Sequence, residues 1–332
     1  LKIFVCEFIS CGGLYRELLS GTLLAEGLLM RDTLLQELAE IDGVELLTAH
    51  DYRLPAPMAA TSVPVSPEED VWQIWGSLIA HADAAWVVAP ESTGLLHRLT
   101  GMVEAEGKRL LGCSSAAVEL AGSKFDTFQA LTAAGVACVP SWRADVWMRQ
   151  QAMGESWVAK PDDGVSCEDS CCLNDVEALR GWLRGREHTH VVQPWRNGAA
   201  ASLSMLCRDG RAWLLSCNRQ LVRRDGNEFR YEGSVINGLA QYRDAFARLA
   251  ADVACAMPAL RGYVGVDLMM VDDDPSRLEV LEINPRLTTS YAGLHEATGI
   301  NVAKLVIELM EVQDPATFRM PSLCEKIVEI TL

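Results

Sequence analysis

Residues 278–286 read LEVLEINPR. In a strand, alternate side chains share a face. Glu282, Asn284 and Arg286 would then lie on one face, with Leu281 and Ile283 turned to the other. Just upstream, YVGVDLMMV (263–271) reads as a partner strand and DDDPSR (272–277) as the turn. Pairing Val271 with Leu278 sets Asp267 opposite Glu282 and Gly265 opposite Asn284. Opposed Cβ atoms are about 5 Å apart, so two carboxylates placed there repel unless a cation lies between them. Carboxylate and amide oxygens are the hard ligands that Mg²⁺ takes alongside phosphate oxygens. Arg286 extends the same face, where a guanidinium can neutralise a transferring phosphoryl group. The plainer alternatives are a solvated face with a tolerated acid pair and, for Arg286, a surface ion pair.

Two lysines add weight to the phosphate reading. Lys124 lies early in a helix, and Lys160 ends the apolar strand SWVAKP before the loop DDGVS. Such a loop can offer backbone N–H groups to phosphates, Gly164 and Ser166 among them. Each lysine alone is weak, because most lysines are solvated.

The 332 residues suit two or three domains, with 49% hydrophobic and 22% charged residues, an ordinary globular composition. A net charge of −16 argues against binding nucleic acid through its phosphates. No apolar run reaches the ~20 residues of a membrane span. The stretch LKIFVCEF is too short for a signal core and carries Glu7, so secretion is not expected. Eleven cysteines without framework spacing fit free thiols in a reducing cytoplasm.

Strand patterns at 2–8, 44–51, 83–90 and 108–114 alternate with helical ones near 18–40, 68–82 and 92–106, which implies a parallel sheet with crossover helices. The Pro-rich stretch 53–67 reads as a loop. From Ser114 come two helices, the second capped near Ser123 and ended by Gly135, then strands at 136–142, 156–161 and 189–195 with a helix at 175–185. A third unit holds strands at 201–208 and 211–222, a hairpin RRDGNEFRYEG, a helix over 238–259, the 263–284 hairpin and a last helix over 300–312.

Standard motifs are missing. AGSKF lacks the first glycine of a P-loop, and there is no GxGxxG or HExxH. Cys167, Cys171 and Cys172 have no fourth ligand at zinc spacing, and His188 and His190 have no cysteine pair. SCGG (10–13) ends the first strand, where an open sheet binds ligands, and a tight turn explains it equally well.

Taken in order, Lys124, Lys160 before a glycine loop, VVQPW, the Asp267 strand and EINPR resemble the ATP-grasp superfamily. The resemblance covers nearly the whole chain. It implies a mixed α/β and α+β fold: a Rossmann-like N-terminal domain (1–113), then a small lobe (114–195) and a large lobe (196–332) with ATP between the lobes. It further implies that Lys124 and Lys160 meet the ATP phosphates and the N7 side of adenine. Gln193, Pro194 and Trp195 would form the adenine hinge, and Asp267, Glu282 and Asn284 would hold Mg²⁺, with Mn²⁺ an open alternative. Arg286 would serve the γ-phosphate and an acyl phosphate. No acid stands at Trp195 or Arg196, where many relatives use Glu.

CEFISCGG, SCNRQLV, YEGSVING and EINPRLTTSYAGL are similar to the tyramine–glutamate ligase group, which serves methanofuran and methylofuran synthesis. That implies an ADP-forming carboxylate–amine ligase acting on small molecules in the cytoplasm, with a homodimer left open. Ser216, Asn218 and Gln220 alternate onto one face opposite Arg219. Asn218, Arg219, Gly233 and Ser290 are the substrate candidates. A ligase of other amino-acid or peptide specificity, a phosphotransferase and a non-catalytic ATP-binding module are the competing readings.

Overall fold

The computed structural model describes residues 1–19, 21–150, 156–165 and 167–332; Ser166 lies outside them. The first strand, β1 (Lys2–Glu7), is apolar on both faces, as a central strand covered by helices must be. With β2 (Glu45–Asp51), β3 (Thr61–Val65), β4 (Ala84–Val88) and β5 (Arg109–Leu110) it forms a parallel sheet of order β3-β2-β1-β4-β5. Helices α1 (Gly21–Ala39), α2 (Val71–His81) and α3 (Leu95–Ala105) make the connections. Strand β3 lies within the expected 53–67 loop. It sits at the sheet edge, where Pro64 sacrifices no needed hydrogen bond. SCGG is neither a bare tight turn nor an open loop: Ile9–Gly13 is one wide helical turn, and Gly12 (φ +92°) passes so close to Val65 that a Cβ there would lie 2.7 Å from it.

Ser114 caps α4 (Ser115–Gly122) and Ser123 caps α5 (Lys124–Ala133), each accepting from a backbone N–H in the first turn. Gly135 follows at φ +80°. A small antiparallel sheet, ordered β6-β9-β7-β8, comes next. It holds β6 (Trp142–Arg143), then α6 (Ala144–Trp147), β7 (Trp157–Pro161), β8 (Cys171–Leu173), α7 (Val176–Trp182) and β9 (His190–Pro194). The expected strand at 136–142 shrinks to β6. Residues before it run beside the large sheet, with Val139 donating to Val280 and Val280 to Ala137.

The large antiparallel sheet contains β10 (Gly198–Arg208), β11 (Arg211–Asp225) and β12 (Glu228–Ile236), followed by α8 (Arg243–Ala256). It continues with β13 (Gly262–Val271) and β14 (Leu278–Asn284), then α9 (Leu294–Thr298), α10 (Val302–Glu311) and β15 (Val328–Thr331). Its order is β14-β13-β10-β11-β12-β15. The expected 238–259 helix starts only at Arg243, after one 3₁₀ turn, and β15, whose VEIT alternates apolar and polar residues, is a strand beyond those expected.

One face of the parallel sheet and one face of the large sheet share a core: Ile3, Val5, Leu34 and Leu38 pack in the same cluster as Leu206, Tyr263, Tyr291 and Val306. Helices α4 and α5 contribute to a second shared cluster through Ala117, Val118, Ala121 and Leu131. The small sheet with α6 and α7 encloses a cluster of its own, around Trp147, Trp157, Leu179 and Leu183. Among the described residues, no helix is long and apolar enough to cross a membrane.

Candidate active site

The β13–β14 hairpin sets Asp267 opposite Glu282 and Gly265 opposite Asn284. The route to that register differs from the regular pairing expected. Met270, not Val271, faces Leu278, and a bulge at Leu281 restores the step before Glu282. Leu278 and Val280 therefore point to the core and Ile283 does so again. Leu281 joins Glu282, Asn284 and Arg286 on the cleft side instead of facing away. The physical reason is the 137–139 segment, which binds both backbone groups of Val280 and holds this edge strand out of regular alternation.

These side chains line a cleft of about 380 Å³ between the small and large sheets. Lys124 Nζ lies 3.3 Å and Lys160 Nζ 3.5 Å from Glu282 Oε2. Lys124 also donates to the Gly164 carbonyl at 2.7 Å. Asp267 accepts from Gln220 Nε2 at 2.7 Å and from Asn284 Nδ2 at 3.2 Å. Burial, and then the charge of Glu282, push the Asp267 carboxyl upward. Burial also opposes ionisation of Glu282, but Lys124 and Lys160 outweigh it and hold that carboxyl low. Burial pulls Lys160 down, with Glu282 resisting. The pair thus divides: Glu282 is the more readily ionised of the two, and a cation placed between them would draw Asp267 toward its carboxylate form.

That donor set fits a hard divalent cation. Two carboxylates and an amide oxygen sit together on neighbouring strands, and no cluster of three or more His, Cys, Asp or Glu competes with them among the described residues. Such a set leaves positions for phosphate oxygens and water.

The expected phosphate loop is held by its own hydrogen bonds. The Asp162 carboxylate accepts from Ser123 Oγ (2.7 Å) and Phe125 N–H (2.9 Å), and its carbonyl accepts from Lys124 N–H (3.0 Å). A Cβ on Gly164 would lie 2.8 Å from Pro161, so the loop turns there only with glycine. In the expected hinge segment, Gln193 turns its amide onto Ser141 Oγ at 2.7 Å. Pro194 and Trp195 line the cleft. Trp195 N–H is donated to the Ser156 carbonyl, so this residue offers the cleft its ring rather than that donor. The ring stacks on Phe229 at 6.0 Å with 9° between planes. The β11–β12 hairpin that carries Phe229 also reaches the small sheet, where Cys172 N–H donates to Asn227 O at 2.8 Å.

Of the four substrate candidates, only Ser290 lines the cleft. Asn218 is buried behind it, bonded to Ser202 Oγ and to Asn237 N–H. Arg219 points out of the opposite face to solvent. Gly233 (φ +137°) is a packing point, since a Cβ there would lie 2.0 Å from the Ile330 carbonyl of β15. Gln220, which alternates onto the same face as Ser216 and Asn218, does line the cleft, and it is joined there by residues that carry no signal in the sequence: Glu26 and Met30 of α1, Tyr231 and Thr289. Glu91 was missed as well. It pairs with Arg286 at 2.8 Å, and its one clue was its place just past the carboxyl end of a parallel strand.

Residues 121–290 match the family model described as ATP-grasp domain, and residues 44–118 match the pre ATP-grasp 3 domain. The chain is 29% identical over 290 residues to the tyramine–L-glutamate ligase of Methanocaldococcus jannaschii, spanning 86% of this chain and 83% of the relative. To the enzyme of the same name in Methanocaldococcus fervens it is 28% identical over 292 residues, 86% and 87% of the two. Among solved structures, one from Archaeoglobus fulgidus assigned to the ATP-grasp superfamily superposes with a TM-score of 0.70 at 22% identity, covering 100% of this chain and 99% of that one. A biotin carboxylase from Campylobacter jejuni, in a complex with beta-gamma-ATP, gives 0.71 at 14% identity over 97% and 72%.

Proposed function

The chain belongs to the ATP-grasp family as an ATP-dependent C–N ligase, and from that premise we propose that it joins an amino-acid carboxylate, glutamate first, to an aromatic primary amine such as tyramine, within synthesis of a furan-type cofactor. The observation that carries the reading is the convergence of Lys124, Lys160, Asp267, Glu282, Asn284 and Arg286 on one cleft that also has apolar lining. The curated relatives support the choice of substrates.

Adenine packs against the apolar part of the lining, to which Val139, Val158, Met269 and Leu281 belong. The phosphates then meet Lys124 and Lys160, which exchange Glu282 for phosphate oxygens. Asp267, Glu282 and Asn284 would hold Mg²⁺ or a similar ion, which when bound neutralises phosphate charge. Arg286 steadies the γ-phosphoryl group as a substrate carboxylate oxygen attacks it and ADP departs. The amine, having given up its ammonium proton to solvent, attacks the acyl phosphate carbon; the C–N bond forms, the C–O bond to phosphate breaks, and inorganic phosphate leaves with the proton the nitrogen then sheds. The residues contribute position, charge and exclusion of water rather than a nucleophile. At the acceptor end, the Glu26 carboxylate suits an ammonium group, while Met30 and Tyr231 give an aromatic ring apolar walls.

The test is ADP release with glutamate and related acids against tyramine, tyrosine and aliphatic amines. ADP release that never needs glutamate would overturn the substrate choice. Phosphate release that never needs an amine would overturn ligation itself.

A further inference from the structure

We infer that Glu91 is a positioning residue for Arg286, and that the turn it opens, Glu91–Gly94, ties this arginine to the phosphate loop so that both take their working places together. The inference uses the ligase reading above for its turnover assay.

Glu91 comes from the N-terminal sheet, just past β4, yet its carboxylate reaches Arg286, which lines the cleft. Oε2 accepts from Arg286 Nε at 3.0 Å and from Nη2 at 2.8 Å, and both side chains are nearly buried (6% and 12% exposed). Arg286 Nη1 donates to the Leu287 carbonyl at 3.0 Å. Among the described residues those bonds engage three of the five guanidinium N–H groups, leaving two for phosphoryl oxygens. The grip fixes the plane of the guanidinium, which is what an arginine must have settled before it meets a phosphoryl group. Glu91 packs beside Gly122, where an added Cβ would stand 3.4 Å from Glu91 Cβ, an ordinary contact. Its second oxygen, Oε1, is buried without a hydrogen-bond partner among the described residues. It belongs to a small hollow also lined by Lys124, Glu282 and Asn284. A carboxylate kept half-satisfied in so costly a place needs a reason beyond packing.

The same turn has a second grip. Thr93 is left-handed (φ 54°), and its N–H donates to Asp163 Oδ2 at 2.8 Å. Asp163 neighbours Gly164, whose carbonyl holds Lys124. One four-residue turn therefore touches the arginine at one end and the phosphate loop at the other.

The experiment compares Glu91→Gln, Asp163→Ala and the double variant. Expected for Glu91→Gln is a fall in kcat of about 10–100-fold with KM for ATP within about threefold, since only the arginine's aim is lost. Asp163→Ala should lower kcat less, and the double variant should be no worse than Glu91→Gln alone. Unchanged kcat in Glu91→Gln, or effects that simply multiply, would overturn the coupling. Should Glu91→Gln not fold, Glu91→Asp keeps the charge with a shorter reach, and the same kcat loss is expected of it. A readout free of turnover separates this inference from the substrate assignment. Glu91→Gln should lose affinity for ADP with aluminium fluoride about tenfold while keeping affinity for ADP. Equal loss for both ligands would mean a merely structural role and would sink the proposal, whatever the substrates prove to be.

Discussion

Glu282→Gln preserves the shape of β14 but removes the anion that both active-site lysines face. At 3.3 and 3.5 Å, each ion pair is worth about 5 kcal/mol by Coulomb's law at an effective dielectric of about 20. The Glu282 side chain is 23% exposed, so solvent screening and the desolvation already spent on both lysines reduce this. A net loss of about 2–3 kcal/mol in the ligand-free protein is the expected remainder. The variant then leaves both lysines with only Asp267 as a nearby carboxylate among the described residues. Phosphates supply the missing counter-ion. In the presence of EDTA, which takes metal out of the comparison, ADP should bind Glu282→Gln about tenfold more tightly than wild type, about 1.4 kcal/mol. Amide formation should meanwhile fall more than 100-fold. Titration calorimetry reads the affinity, and thermal melts should show a lower Tm without ligand but a larger rise with ADP. Weaker ADP binding than wild type in EDTA would refute the idea that Glu282 is the stand-in for phosphate.

Two further outcomes concern stability. Burial alone would raise the Asp51 carboxyl, but hydrogen bonds from Arg53 outweigh it and hold the group below its ordinary value. Its contribution is therefore present above about pH 3.9 and fades as pH falls through the lowered value. Asp51→Asn should cost about 2 kcal/mol at pH 7 by urea unfolding, with the gap to wild type closing toward acid; a gap independent of pH would contradict the linkage. Gly233→Ala places a Cβ against the Ile330 carbonyl in a left-handed backbone and should cost at least about 2 kcal/mol, lowering Tm without changing KM for ATP. Wild-type stability in this variant would mean that β15 can shift at no cost.

The cleft was legible where chemistry and period coincide. EINPR and VGVD announce themselves because charged groups on apolar strands are expensive, and Lys124 and Lys160 stand at element boundaries that capping and apolar runs disclose. The bulge at Leu281 was not legible, because its cause is a non-local contact with Ala137 and Val139. The correct pairing of Asp267 with Glu282 thus came from a turn register that was off by one residue, compensated by that bulge. Asn218, Arg219 and Gly233 misled for a related reason. Period two tells which residues share a face, but not whether that face meets the cleft, another strand or solvent. Glu91 and Glu26 lie far from the hairpin in sequence, and only the packing of the first sheet on the large one brings them near it.

The small sheet keeps its apolar cluster to itself, while the other two sheets share theirs. Swinging it outward would part the Thr93–Asp163 and Cys172–Asn227 bonds and the Trp195–Phe229 stack, yet leave each greasy interior sealed. Nucleotide could enter and leave by a motion that resembles a jaw more than a partial melt, at a cost of polar contacts that water readily replaces. Five of the nine tryptophans, Trp142, Trp147, Trp157, Trp182 and Trp195, ride on or beside the moving half. The jaw would carry its own lamp, and its angle should be readable from the unlabelled protein's emission as ATP is added.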